Sequence, residues 1–253
     1  MISLASINVR ALTTIGLVSF ACLLMGEQRV IAAIVLYSQP AQSPVVSTRA
    51  SQTQTTGGLV FQTFDNFQIA ADSTITEVAW QGSYFNTNVN DNTFNPPANA
   101  TGFTVALYAD SAGEPGALLS SQFFSPAAAN ETFVAQQAFS ATLGLGVYNY
   151  SAALVPFAAS GGTTYWLSIY AQSPDANADQ AQWGWNGGTG GDGTSMQASF
   201  GNRPGEVNTD RAMTLTGHEG IDPAPVPEPA TLTLWSMGAL GCAVGAYRRR
   251  RAG

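Results

Sequence analysis

The stretch "TITEVAWQGSYF", residues 74–85, puts Val78, Trp80 and Tyr84 at every second or fourth position, with Glu77, Gln81 and Ser83 between them. Successive side chains of an extended chain point to opposite faces, so this spacing gives one apolar face and one polar face. Wound into a helix at 3.6 residues per turn, the same residues would scatter around the axis. The stretch therefore reads as a half-buried β-strand. "GFTVALYAD" (102–110) repeats the pattern with Phe103, Val105 and Leu107, and "TTYWLSIYA" (163–171) repeats it with Tyr165, Leu167 and Ile169.

Working outward, strand-like runs recur at "LVFQTFDNFQIA", "GALLSSQFF", "ETFVAQQAF", "GVYNYSAAL", "AQWGWNG", "TSMQASF" and "RAMTLTG". Between them lie turn-forming clusters such as "ADSAGEPG", "FNPPANA", "ASGG", "SPDANAD" and "GGTGGDG". Many short strands with regular punctuation predict an all-β domain over residues 59–218, a jelly-roll-like β-sandwich of about ten strands. No fixed-period repeat argues for a solenoid or propeller. Residues 34–58, rich in Ser, Thr, Gln and Pro, read as an irregular lead-in with one short strand at "IVLYS".

Charge excludes whole classes of function. The chain has 253 residues, nine basic residues, all of them Arg, and no Lys. Between residues 34 and 228 only Arg49, Arg203 and Arg211 stand against 15 carboxylates, a balance near −12. Such a surface repels phosphate backbones, so no nucleic acid is expected as partner. The absence of Lys removes the P-loop and Schiff-base chemistries.

The two ends differ from the middle. "MISLASINVR", then the apolar "ALTTIGLVSFACLLMG", then "EQRVIAA" match a signal peptide over 1–33, cleaved after Ala32 or Ala33; the alternative is an uncut anchor helix. At the other end "IDPAPVPEPATL" gives a Pro-rich linker over 219–229, because Pro resists continuing a helix. From 230 to 247 the chain carries no charge, and a helix of that length reaches about 27 Å, enough for a hydrocarbon core. Arg248, Arg249, Arg250 and Arg251 in the 248–253 tail then fix a cytoplasmic end by the positive-inside rule. The only cysteines, Cys22 and Cys242, lie in these terminal stretches, which leaves the middle without a disulfide or thiolate site.

Val226, Pro227, Glu228 and Pro229, followed by the apolar run and the Arg block, resemble the PEP-CTERM sorting signal. That resemblance implies a partner, an exosortase (a membrane cysteine protease-transpeptidase), with processing near the Pro-Glu-Pro motif. It also implies export to the surface or matrix of an exopolysaccharide-producing, biofilm-forming Gram-negative cell. Across roughly 59–217, "FDNFQIAADSTITEVAWQGSYF", "GFTVALYADSAGEPGALLSS" and "GTTYWLSIYA" with "QWGWN" resemble an uncharacterised bacterial extracellular β-sandwich module. This second resemblance carries fold, with little about chemistry.

Candidate sites are few. "GGTGGDGTS" (187–195) has the GGxGxD part of a calcium β-roll repeat at Asp192, but in a single copy, so a glycine loop between strands is the competing reading. Asp110 and Glu114 share the turn "DSAGEPG", where calcium or an ordinary hairpin would use the same residues. Asp175 and Asp179 in "SPDANAD" are similar candidates. Trp183 and Trp185 share one strand face and serve either as core or as a platform for extracellular polysaccharide. The sole histidine, His218, falls in the linker after the last strand, unsuited to a Ser-His-Asp triad, and Glu77, Glu114 and Glu131 stand in no catalytic context. The expectation is a non-enzymatic surface or matrix protein with no cofactor beyond optional calcium. A lectin-like module is the alternative, and a carboxylate glycosidase a distant one.

Overall fold

A computed structural model describes residues 32–54, 60–85, 98–138, 144–173, 182–199 and 201–220. The PEP motif, the apolar run 230–247, the Arg block, residues 1–31 of the expected signal peptide, and Asp175 and Asp179 lie outside the described residues. Within them the chain is all-β, with no helix. Its strands are β1 (Ile34–Gln39), β2 (Thr48–Ala50), β3 (Gln52–Gln54), β4 (Val60–Gln68), β5 (Ser73–Phe85), β6 (Gly102–Asp110) and β7 (Pro115–Phe124). After these come β8 (Thr132–Ala138), β9 (Gly144–Ala159), β10 (Thr164–Ser173), β11 (Gln182–Asn186), β12 (Ser195–Ser199), β13 (Gly205–Val207) and β14 (Met213–Glu219).

These strands form two seven-stranded sheets. In the first, β5 is the hub. β9 pairs along its whole length, from Ser73↔Ala159 to Phe85↔Leu145. The other edge of β5 is shared: β14 runs beside Ser73–Trp80 and β11 beside Gly82–Phe85. β1, β2 and β8 extend β14, β11 and β9 respectively. The second sheet runs β13-β12-β4-β3-β10-β6-β7, with β4 also pairing β10 directly. β3 lies parallel to the end of β10; the other pairings described are antiparallel.

The alternation in the quoted stretch decides the burial. Val78, Trp80 and Tyr84 are buried, as are Phe103, Val105, Leu107, Tyr165, Leu167 and Ile169, and all nine belong to one hydrophobic core. The inner faces of both sheets supply it. Trp80 stacks on Tyr150 at 5.1 Å within the first sheet. Phe103 of the second sheet meets Trp80 at 6.0 Å, Tyr150 at 4.8 Å and Trp183 at 5.4 Å. Edge-to-face and offset ring contacts of this kind each add about 0.5–1.5 kcal/mol beyond the area they bury.

The structure departs from the sequence expectation in three places. Among the described residues fourteen strands stand where about ten, besides one short strand at "IVLYS", were expected; the additions are the three-residue β2, β3 and β13. The expected lead-in is more regular than the one short strand at "IVLYS": that strand is β1, and it joins the first sheet with β2, while β3 enters the second. Ser83, expected on the polar face, is fully buried. Its outward side of β5 is covered by a second apolar cluster of Val45, Leu145 and Val147, with Phe85 against it. Gln137 of β8 clamps that cover, accepting from the Val45 amide at 3.0 Å and donating to its carbonyl at 2.7 Å.

Candidate functional site

The most concentrated polar chemistry among the described residues lies inside the core. On β4 the residues Thr63, Asp65 and Phe67 share one parity, and all three are buried. Asp65 thus projects into the interior, where β1 brings Tyr37 and Gln39 and the approach to β14 brings Asp210 and Arg211. The Asp65 carboxylate accepts the Asn66 amide at 3.0 Å and the Arg211 amide at 2.5 Å. The Gln39 amide is turned so that Nε2 donates to Asp65 Oδ2 (2.7 Å) and to the Arg211 carbonyl (2.6 Å), while Oε1 accepts from the Tyr37 hydroxyl (2.8 Å). The reverse orientation would set its oxygen against two acceptors. The Arg211 guanidinium, fully buried, donates to the Trp185 carbonyl at 3.2 Å and the Thr209 carbonyl at 2.8 Å.

Burial dominates the electrostatics here. It pushes the Asp65 carboxyl well above the usual carboxylate range, against the pull of the Arg211 and Asn66 N–H groups. It lowers the Arg211 guanidinium to about 10, although Asp65 and Asp210 pull it back up. Tyr37 rises to about 12, from burial first and the Asp65 charge second. A carboxyl so shifted could mark a catalytic site, but Asp65, Gln39 and Arg211 are 0 % exposed, and a catalytic group must reach its substrate. The cluster locks three chain segments together.

The same cluster explains the glycine loop. Asp210 accepts the Gly191 amide at 3.0 Å and the Gly193 amide at 2.7 Å, so the loop's backbone donors are held by a protein carboxylate. Gly190 and Gly193 have φ of +92° and +84°, a region costly for other residues. A Cβ on Gly191 would strike the Gln39 terminal amide. Asp192 accepts from Thr194 (amide and hydroxyl, both 2.8 Å) and from Asn66 Nδ2 at 2.8 Å. Burial works to raise its carboxyl, but these hydrogen bonds outweigh it and hold the group below its ordinary value.

The remaining sequence candidates are placed as follows. Asp110 caps Trp166, accepting its Nε1 at 2.8 Å, and also accepts the Gly113 amide at 3.2 Å. Glu114 pairs with Arg203, whose Nε donates at 2.9 Å, on the solvent side of the same turn. Among the described residues no three metal-ligating side chains come together. Trp183 and Trp185 are 1 % and 0 % exposed, with Nε1 atoms bonded to the Tyr150 hydroxyl (3.1 Å) and the Ala212 carbonyl (2.8 Å). Of the two readings offered for this pair, the structure bears out the core and not the sugar platform: both indoles face inward with the apolar parity of β11. His218 is likewise no linker residue; it lies in β14 opposite Thr74. Glu131 accepts the hydroxyls of Tyr84 (2.7 Å) and Tyr150 (3.1 Å), a role its sequence context did not suggest.

One surface depression, about 240 Å³, opens over β5 where β14 and β11 meet end to end. Gln39, Trp80, Gln81, Asn149, Tyr150 and Thr214 line it, together with apolar neighbours. An amide chain crosses beside it: Asn186 Nδ2 donates to Gln81 Oε1 and Gln81 Nε2 to Asn149 Oδ1, each at 3.1 Å. Its lining holds the hydrogen-bonding side chains of Gln81, Asn149 and Thr214 beside apolar residues.

No curated protein matches the sequence. A family model described as "Domain of unknown function (DUF7901)" matches residues 37–211, a span that runs from Tyr37 to Arg211 and so contains the whole buried polar cluster. With more than half of its length under that match, the chain belongs to the DUF7901 family.

Proposed function

We propose that this protein is exported, held briefly by its C-terminal apolar helix, and sorted by an exosortase to the cell surface or matrix, where it acts as a non-enzymatic component. The observation that carries the proposal is the order of features from 226 to 253: Val226-Pro227-Glu228-Pro229, an uncharged run to Tyr247, then Arg248–Arg251. In this reading the passenger is a jelly-roll-like β-sandwich, with a signal helix before it and a membrane helix after it. Three properties of the described domain support an extracellular structural role. It is acidic and free of cysteine; its strongly shifted carboxyl is sealed in the core; and its open depression carries amides rather than acids.

The test is fractionation of an exosortase-containing host that expresses the full chain or a form ending at residue 225. The full chain is expected in the surface or matrix fraction, and the truncated form in the soluble exported fraction. Equal surface display of the truncated form would overturn the proposal.

A further inference from the structure

Sheet edges carry unpaired backbone donors and acceptors, and soluble proteins usually blunt them with charge. The β2 and β13 edges follow this rule, with Arg49 and Glu206, but one edge of this chain does not. From Pro115 to Pro174 the sequence contains a single charged residue, Glu131, and that one is occupied by two tyrosine hydroxyls. The run includes all of β7, which ends the second sheet: β6 pairs one side of it, and among the described residues no strand pairs the other. Its exposed side chains are uncharged and mostly apolar: Phe123 is 55 %, Leu118 56 % and Leu119 47 % exposed, with Ala117 and Ser121 beside them. Irregular register is confined to the turn-proximal end, and Ser120–Phe124 pair regularly with Phe103–Leu107.

We propose that the outer edge of β7 pairs with β7 of a second copy of this chain, antiparallel about a two-fold axis, joining two seven-stranded sheets into one. Charge argues for this occupant. Outside the run the chain is strongly acidic, so two copies repel one another over most of their surfaces. The uncharged edge is where a like-charged copy can approach without that cost, and an antiparallel strand pair is self-complementary under two-fold symmetry. Phe123, Leu119 and Leu118 then lose exposure at the junction. This pairing does not depend on the sorting route.

The experiment is sedimentation of the full chain in mild detergent, wild type beside Ser121→Lys and Gln136→Lys. Ser121 and Gln136 are exposed residues of β7 and β8, so each substitution places a charge on one edge without entering the core. The expected result is twice the monomer mass for wild type and Q136K, unchanged by added salt, and monomer mass for S121K. Leu119→Lys, judged in the same way, stands in if S121K melts early. A monomeric wild type would overturn the proposal. So would a dimer that survives both β7 substitutions, or one lost only in Q136K.

Discussion

Asp65 occupies a position where the alternation of β4 calls for an apolar side chain, and its neighbours on that parity, Thr63 and Phe67, are buried as the pattern requires. Buried ionisable groups persist only when surrounded by hydrogen-bond partners, and Gln39, Asn66 and Arg211 supply them. The tyrosines around the core give a measurable consequence. Burial and the Asp65 charge raise Tyr37 to about 12, and burial with Glu131 raises Tyr84 and Tyr150. Below pH about 10, the ordinary tyrosine value, these phenols are neutral in both folded and unfolded chains, and their contribution to stability is fully present. Above it the unfolded chain ionises first, so stability falls as pH rises toward the folded values. Alkaline titration should therefore show phenolate absorbance for these residues delayed well past pH about 10 and accompanied by loss of β-sheet circular dichroism; their ionisation near pH 10 in a chain that stays folded would contradict the assignment. The cluster was legible in principle, since "TFDNF" sets an acid on an apolar parity. What was not legible was its partners, because Gln39 and Arg211 lie 26 residues before and 146 residues after Asp65 along the chain.

At the scale of elements, alternation identified the long strands but missed β2, β3 and β13, whose three residues are too few to show a period. It also missed that β14 and β11 share one edge of β5, because strand order depends on pairing between distant segments. Alternation left Trp183 and Trp185 open between core and surface, since parity gives a shared face but not which side is inside. Their burial is enforced by the strand beside them: a Cβ on Gly82 would lie 2.3 Å from the Trp183 ring. Gly82→Ala should therefore destabilise the domain by about 1–3 kcal/mol, the usual cost of overpacking a filled interior, seen as a lowered urea midpoint. A midpoint equal to wild type would mean that the Trp183 indole is not seated against β5.

At the scale of the described domain, many alternating runs with regular turn punctuation predicted an all-β fold, and two sheets sharing a hydrophobic core are what the described residues form. Cys22 and Cys242 both fall in the stretches that the proposed route removes, so a mature protein made by that route contains no disulfide. The central claim, that the two ends direct export and sorting and are then removed, is tested most directly by intact-mass spectrometry of the protein recovered from the surface of an exosortase-containing host. The account predicts a chain that begins after Ala32 or Ala33 and ends near Pro229, without Arg248–Arg251. A mass that still includes the four arginines would contradict it.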